Sequence, residues 1–193
     1  MYLSKYRLKL NWGNRITLND VLNGQALHRS IQSLFGSTRA EKNVLYMRSF
    51  VSADKAFVYV YSSEMPLEES DHFERLFCRE QKEIYIPGSM LRFRIVCSPM
   101  KQRDGHRYFL RSAEDRKEWF LRQAIKHGFE CLSLSEVGKE NITVQKNAKN
   151  IFTLTIVTFS GVLRVVDSDA FANALRCGIG AEKAYGSGML LVV

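Results

Sequence analysis

The chain has 193 residues, 46% of them hydrophobic, and a formal net charge of +8, which suits a basic folded protein of one large domain or two small ones. It holds no run of about 18 apolar residues to span a membrane, and its N-terminus alternates charged and apolar residues, so it reads as a cytoplasmic protein without a signal peptide. Cys78, Cys97, Cys131 and Cys177 form no C-x-x-C pair and read as buried thiols, and no Cys/His cluster suggests a zinc site.

The charge is uneven. Residues 1–88 carry 12 Lys and Arg against 10 Asp and Glu, while residues 89–193 carry 16 against 10. The basic second half favours a polyanionic partner, most often nucleic acid.

In chain order, residues 2–10 alternate with Tyr6, Leu8 and Leu10 on one face, the period of a half-buried strand. Asn19 or Asp20 is positioned to cap a helix bearing Leu27, Ile31, Leu34 and Phe35, with Gly36 as its stop. Val44–Phe50 and Ala56–Tyr61 have the composition of a hairpin. The acidic segment from Glu64 to Phe77 is expected to be a second helix, and Glu83–Ile86 a short strand before Pro87-Gly88. The stripe Phe57, Tyr59, Tyr61 reads as core packing on one sheet face, with base stacking as the alternative. No RNP1 octapeptide accompanies it.

The second half repeats the order. Met90–Cys97 alternates Leu91, Phe93 and Ile95 against Arg92 and Arg94. Ser112 opens a helix in a capping arrangement with Asp115, and Gly128 closes it. Phe129–Leu134, Ile142–Val144 and Ile151–Phe159 are strand material, with Val162–Val166 following a Ser160-Gly161 turn. Asp167 or Ser168 caps a helix ending at Gly178, and Met189–Val193 is the last strand. The pattern is α+β: two tandem ferredoxin-like domains of order βαββαβ, RRM-like, over residues 1–88 and 89–193. That topology serves many functions.

Three features carry candidate chemistry. His28 borders the apolar stripe of the first helix; followed by Arg29, it can move a proton while its neighbour holds a phosphate, or remain a surface histidine. Lys101–Lys126 holds eight Lys and Arg against four acids, with His106, Tyr108 and Trp119 interleaved, as an RNA-binding loop and helix or as a solvated face. Gly178, Gly180, Gly186 and Gly188 surround Lys183 in the spacing G-x-G-x5-G-x-G. This matches neither the dinucleotide fingerprint nor the P-loop, so no nucleotide cofactor is implied. An anion or a plain flexible turn fits this segment. His72 and His127 read as structural or surface residues. No carboxylate cluster marks a two-metal nuclease, and no nucleophile motif marks acyl transfer.

Met1–Lys5, Leu27-His28-Arg29, Leu91–Lys101, Phe159–Asp167 and the ending Gly178–Leu191 together resemble the CasE family, the CRISPR repeat endoribonucleases of type I-E Cascade complexes, over nearly the whole chain. The resemblance implies a metal-independent cut at the base of a repeat hairpin, with 2′,3′-cyclic phosphate and 5′-hydroxyl ends. It implies a product retained as guide RNA with the other Cascade subunits, and neither membrane nor small-molecule cofactor. His28 falls on the family's catalytic histidine. Arg29 would contact phosphate, Lys101, Arg103, Arg107, Arg111 and Arg164 would contact RNA, and Gly178–Gly188 would pack beside the site with Lys183 near the RNA. The family often has a tyrosine three residues before the histidine, where this chain has Gln25, and a basic residue where it has Ala181. A non-cutting hairpin-binding module and a protein-binding scaffold are the alternatives.

Overall fold

In the computed structural model the described residues are 1–9, 23–35, 44–52 and 55–192. The chain forms two compact units. The first joins Met1–Lys82 to Ile142–Leu154 and Ala184–Gly186; the second joins Glu83–Asn141 to Thr155–Lys183 and Ser187–Val193. The units therefore differ from a single division after residue 88, because two distant segments return to the first one. An expectation from local pattern does not see such returns.

In the first unit, β1 (Tyr2–Leu8) leads to helix α1 (Gly24–Gln32), a 3-10 turn at Ser33–Phe35, then β2 (Leu45–Ser52), β3 (Lys55–Ser62) and β4 (Phe73–Glu80). The sheet order is β2-β3-β1-β4, every neighbour antiparallel. Tyr6 and Leu8 from β1, with Val58 and Val60 from β3, pack against Leu27, Ile31, Leu34 and Phe35 in one buried core. The helical spacing of those four residues is the reason α1 lies on this face. Leu10, Asn19, Asp20 and Gly36 lie outside the described residues; α1 is capped by Asn23.

The helix expected from Glu64 to Phe77 is absent. Residues 64–72 contain no helix, and Phe73–Glu80 is the strand β4, running from Leu8↔Phe73 to Tyr2↔Glu80 beside β1. Pro66 lacks an N–H and disfavours the helical region for Met65. The loop is satisfied elsewhere: the Leu67 amide donates to the Leu34 carbonyl at 2.8 Å, and the Tyr6 hydroxyl donates to the Leu67 carbonyl at 2.6 Å. Burial pushes the Tyr6 phenol up to about 12. The aromatic stripe is also corrected. Ala56, Val58 and Val60 enter the core, so Phe57 and Tyr59, one residue out of phase, are half-buried on the opposite face, while Tyr61 is buried.

In the second unit, β5 (Met90–Cys97) is followed by a hairpin of β6 (Met100–Arg103) and β7 (His106–Phe109), then α2 (Ala113–Lys126), β8 (Phe129–Asn147), β9 (Asn150–Val165), α3 (Ser168–Cys177) and β10 (Leu190–Val192). Its sheet order is β10-β5-β9-β8. Counted within each unit, both sheets read fourth-first-third-second, the ferredoxin-like arrangement, so the tandem α+β reading holds. Only the second unit carries both helices among the described residues. Phe120 of α2 stacks on Phe93 and Phe159, with ring centroids 5.7 and 5.1 Å apart. The Ser112 hydroxyl accepts from the Asp115 amide at 3.0 Å, and Asp167 accepts from the Asp169 and Ala170 amides, as the sequence suggests.

Two further expectations change. The four short strands between residues 129 and 166 are two long ones, and Ser160-Gly161 lies within β9 instead of turning the chain. An added Cβ at Gly161 would fall 2.0 Å from the Ser133 carbonyl oxygen, so glycine serves close backbone approach there. Glu83–Ile86 forms no strand; Tyr85 packs edge-on against Phe171 at 5.5 Å, and its carbonyl accepts from the Ser168 hydroxyl. All four cysteines are free, but only Cys97 is buried; Cys78 and Cys131 are half-buried and Cys177 is exposed.

Candidate nucleic-acid and catalytic site

Helix α1 begins where Asn23 changes the chain from extended to helical backbone, at φ −86° and ψ 116°. The Asn23 Oδ1 accepts from the Gln25 amide at 3.0 Å and from the Gln145 amide at 3.1 Å, and its Nδ2 donates to the Gln145 carbonyl at 3.4 Å. One side chain thus caps α1 and ties it to the part of β8 that belongs to the first unit. Gly24 tightens the junction, since an added Cβ would sit 3.2 Å from methyl groups of Ile142 and Val144 and 3.5 Å from the Tyr185 ring. The sequence pattern offers Asn19 or Asp20 as the cap, but the cap of α1 is Asn23. The available signal was the Asn23-Gly24 pair directly before the apolar period.

Four polar residues, Gln25, His28, Arg29 and Gln32, follow at i, i+3, i+4 and i+7, one stripe along the helix. They line an open cavity of about 400 Å³. His28 is half-buried, with its Nδ1 shielded from solvent, and Arg29 is exposed. The stripe presents a titratable imidazole, a guanidinium fork and two amides to one space, a set able to hold a phosphodiester and move a proton beside it.

The glycine-rich segment is ordered by its neighbours. Gly178 ends α3 at φ 72°, and Gly180, Gly186 and Gly188 also have positive φ. The Ile179 amide donates to the Gly188 carbonyl at 2.9 Å, and the Gly188 amide to the Val96 carbonyl at 2.7 Å, closing the segment on itself and on β5. Lys183, half-buried, opens a 3-10 turn through Tyr185. In the first unit, the Tyr46 hydroxyl donates to the Ala184 carbonyl at 2.8 Å, and an added Cβ at Gly186 would lie 2.9 Å from the Tyr46 ring. Burial pushes the Tyr46 phenol up, so it stays a neutral donor. Tyr46 was not singled out from sequence; as one aromatic in a strand-like run it gave no signal of this contact.

The basic run is not a loop and helix alone. Asp104-Gly105, with φ of 51° and 76°, makes a two-residue hairpin turn between β6 and β7, a D-G signal readable in the sequence. The register Lys101↔Tyr108 and Arg103↔His106 puts these four on one face, with Gln102 and Arg107 on the other. Lys101, Arg103, Tyr108 and Arg111 line an open cavity of about 680 Å³. Arg107 reaches Glu182 at 3.9 Å.

Two arginines are used differently. Arg116, counted in the basic run, is buried: it makes a two-pronged pair with Glu136 at 2.9 and 2.6 Å and donates to the Leu110 and Arg111 carbonyls. Glu136 holds its guanidinium pKa above the ordinary value. Arg164 pairs with Glu130 and lies opposite Met90, where β5 starts. The basic hairpin follows the other end of β5, roughly 23 Å of strand away. So Lys101, Arg103 and Arg111 come together, with Arg107 on the reverse face of the same hairpin and Arg164 apart. His106, exposed, meets Tyr108 edge-on at 6.5 Å. No helix among the described residues is long and apolar enough to cross a membrane.

A family model described as CRISPR associated protein matches residues 1–193. A curated relative, CRISPR-associated endoribonuclease Cse3 of Thermus thermophilus, is 30% identical over 123 residues, 55% of this chain and 56% of the relative. The chain thus spans about half the length of the curated relative it matches. The solved structure of Thermus thermophilus Cse3 bound to an RNA representing a pre-cleavage complex superposes with a TM-score of 0.87 at 22% identity, covering 100% of both chains. Cas6e from Escherichia coli K-12 superposes with a TM-score of 0.78 at 20% identity, covering 100% of this chain and 98% of the other. At these identities the likeness establishes the shared fold.

Proposed function

The chain belongs to the CRISPR-associated protein family, and from that membership we propose that it is an endoribonuclease cutting precursor CRISPR RNA at the base of the repeat hairpin. The observation that carries this reading is the stripe Gln25, His28, Arg29 and Gln32 facing one open cavity on a helix pinned at its N-terminus. RNA brings its own nucleophile. The 2′-oxygen attacks the scissile phosphorus as its proton leaves, the bond to the 5′-oxygen breaks, and that oxygen takes a proton. The products are a 2′,3′-cyclic phosphate and a 5′-hydroxyl. His28 supplies the proton transfer, through Nε2 because Nδ1 is shielded, and Arg29 holds the phosphate.

The exposed cations Lys101, Arg103, Arg107 and Arg111 supply charge for the hairpin backbone; Lys183 adds to it next to Glu182, which Arg107 reaches, and Arg164 is an outlying contact. Gly178, Gly180, Gly186 and Gly188 shape the backbone beside Tyr46 and β5. The product remains bound as guide RNA among the other Cascade subunits in the cytoplasm. The curated relative's endoribonuclease name and the RNA-bound Cse3 structure support this reading.

One residue favours a second reading: Gln25, where the family often has tyrosine, fits a hairpin-binding subunit that does not cut. Incubating the protein with its own genomic repeat RNA in EDTA separates the two. Cleavage is expected, and a deoxy substitution at the nucleotide 5′ of the cut should abolish it while binding persists. Tight binding without cleavage selects the second reading; cleavage of the deoxy substrate overturns the mechanism.

A further inference from the structure

The aromatic stripe of β3 has no part in the site on α1; Tyr61 is buried, while Phe57 and Tyr59 lie partly exposed on the sheet face away from α1. Antiparallel pairing sets Lys5 of β1 between Tyr59 of β3 and Phe77 of β4, with Arg7 opposite Phe57 and Leu3 opposite Arg79. Paired residues share a face, and this is the face opposite α1, since Tyr6, Leu8, Val58 and Val60 point into the core beneath the helix. Phe57 and Tyr59 are half-buried and Phe77 is 38% exposed. The Lys5 ammonium stands 4.5 Å from the Phe57 ring centroid and 5.3 Å from that of Tyr59, and the Arg79 guanidinium 6.0 Å from Phe77. The same face carries Leu45 and Met47 of β2, opposite Tyr61 and Tyr59; with Leu3 and Tyr61 they are buried, so the rings that reach solvent here are Phe57, Tyr59 and Phe77. Among the described residues, the three cations Lys5, Arg7 and Arg79 on this face stand against one carboxylate, Glu74, paired with Arg7 at 3.5 Å.

From this face we propose a second RNA site in the first unit: a platform for single-stranded RNA, separate from hairpin recognition and cleavage. Partly exposed rings on the central strand β3 and the edge strand β4 offer flat apolar surfaces for unpaired bases, and interleaved cations offer partners for the phosphates between them. A paired stem hides its base faces and cannot use such a surface, so the ligand is the unpaired part of the RNA. Lys5 acts as a placeholder. In the free protein its ammonium covers the rings by cation–π contact. A base sliding onto Tyr59 or Phe57 displaces it, and the long side chain turns to the adjacent phosphate. The proposal shares with the reading above only the premise that the ligand is RNA.

The test uses the full chain and a short oligouridine carrying photoreactive uridines, which cannot form a hairpin. Crosslinks are expected on the strands bearing Phe57, Tyr59 and Phe77. Tyr59→Ala should weaken oligouridine binding about five- to a hundredfold, the range for loss of one base–aromatic stack. Should Tyr59→Ala fold poorly, Arg79→Glu on the exposed edge strand serves instead and should weaken binding with a shallower salt dependence. Crosslinks that map elsewhere, or affinity unchanged in the folded variants, overturn the platform and leave this face to a protein contact. The nuclease reading is judged apart from it, by cleavage of the repeat hairpin by the unsubstituted protein. Cleavage with no platform crosslinks sinks the platform alone, and platform crosslinks with no cleavage sink the nuclease alone.

Discussion

The two units share one strand order and complete it differently. In the second, α2 and α3 cover the sheet, and Phe120 of α2 stacks into a ring of phenylalanines. In the first, α1 and its 3-10 turn are the described helical cover, and the segment where a second helix would sit is a loop leading straight into β4. Strand order is evidently the more durable feature. It is set by antiparallel pairing along β1 and β3, whereas a helix on that sheet is one of several ways to bury the same apolar residues. The proposed chemistry divides in the same way: His28 and Arg29 lie in the first unit, and the exposed hairpin cations lie in the second.

That division can be broken by mutation. The largest effect is expected at His28. His28→Ala should slow single-turnover cleavage by roughly 10² to 10⁴, the usual worth of general acid/base catalysis, with hairpin affinity nearly unchanged. Equal cleavage by this variant would move the chemistry out of the first unit, with His106 as the next candidate.

Next come the arginines of the second unit, where burial separates structure from binding. Arg116→Ala leaves Glu136 facing a buried gap and should cost about 3 kcal/mol in urea unfolding. The triple change Arg103→Ala, Arg107→Ala, Arg111→Ala should alter stability by under about 1 kcal/mol, since all three are exposed. It should instead reduce the salt dependence of RNA affinity by roughly 2 to 3 in slope. An unchanged slope would remove the hairpin from the RNA interface.

The smallest effect sharpens the comparison at α1. Asn23→Ala should destabilise the protein by about 1 kcal/mol, the usual cost of a lost N-cap. Asn23→Asp keeps the oxygen that accepts from Gln25 and Gln145 but loses the donor to the Gln145 carbonyl, so thermal melting should show a smaller loss. If alanine melts as the parent does, the cap is not what anchors the helix.

Much of this was legible in local pattern. The alternation in β1 and β5 and the caps at Ser112 and Asp167 rest on neighbours within a few residues and appear as read; of the stripe, Leu27 and Ile31 lie on α1, while Leu34 and Phe35 reach the same core from the 3-10 turn that follows it. The candidates His28 and Arg29 could be singled out because a helix period fixes which residues share a stripe. The failures are also physical. The acidic composition of Glu64–Phe77 favours a helix, yet Pro66 and the pairing of β4 with β1 outweigh propensity. Phe57 and Tyr59 read as core from sequence because period two marks alternating residues without saying which set faces inward.

The sequence by itself determined the two ferredoxin-like units, the helix bearing His28 and the surplus of positive charge in the second half, because each follows from spacing or composition along the chain. Only the tertiary structure decided that Asn23 is held by Gln145, that Tyr46 meets Ala184, that Arg116 is spent on Glu136 and that Arg164 is paired with Glu130. Asn23 and Gln145 are 122 residues apart, and Tyr46 and Ala184 are 138. At such separations a side chain's role depends on which distant backbone the fold brings to it, and spacing along the chain carries no record of that.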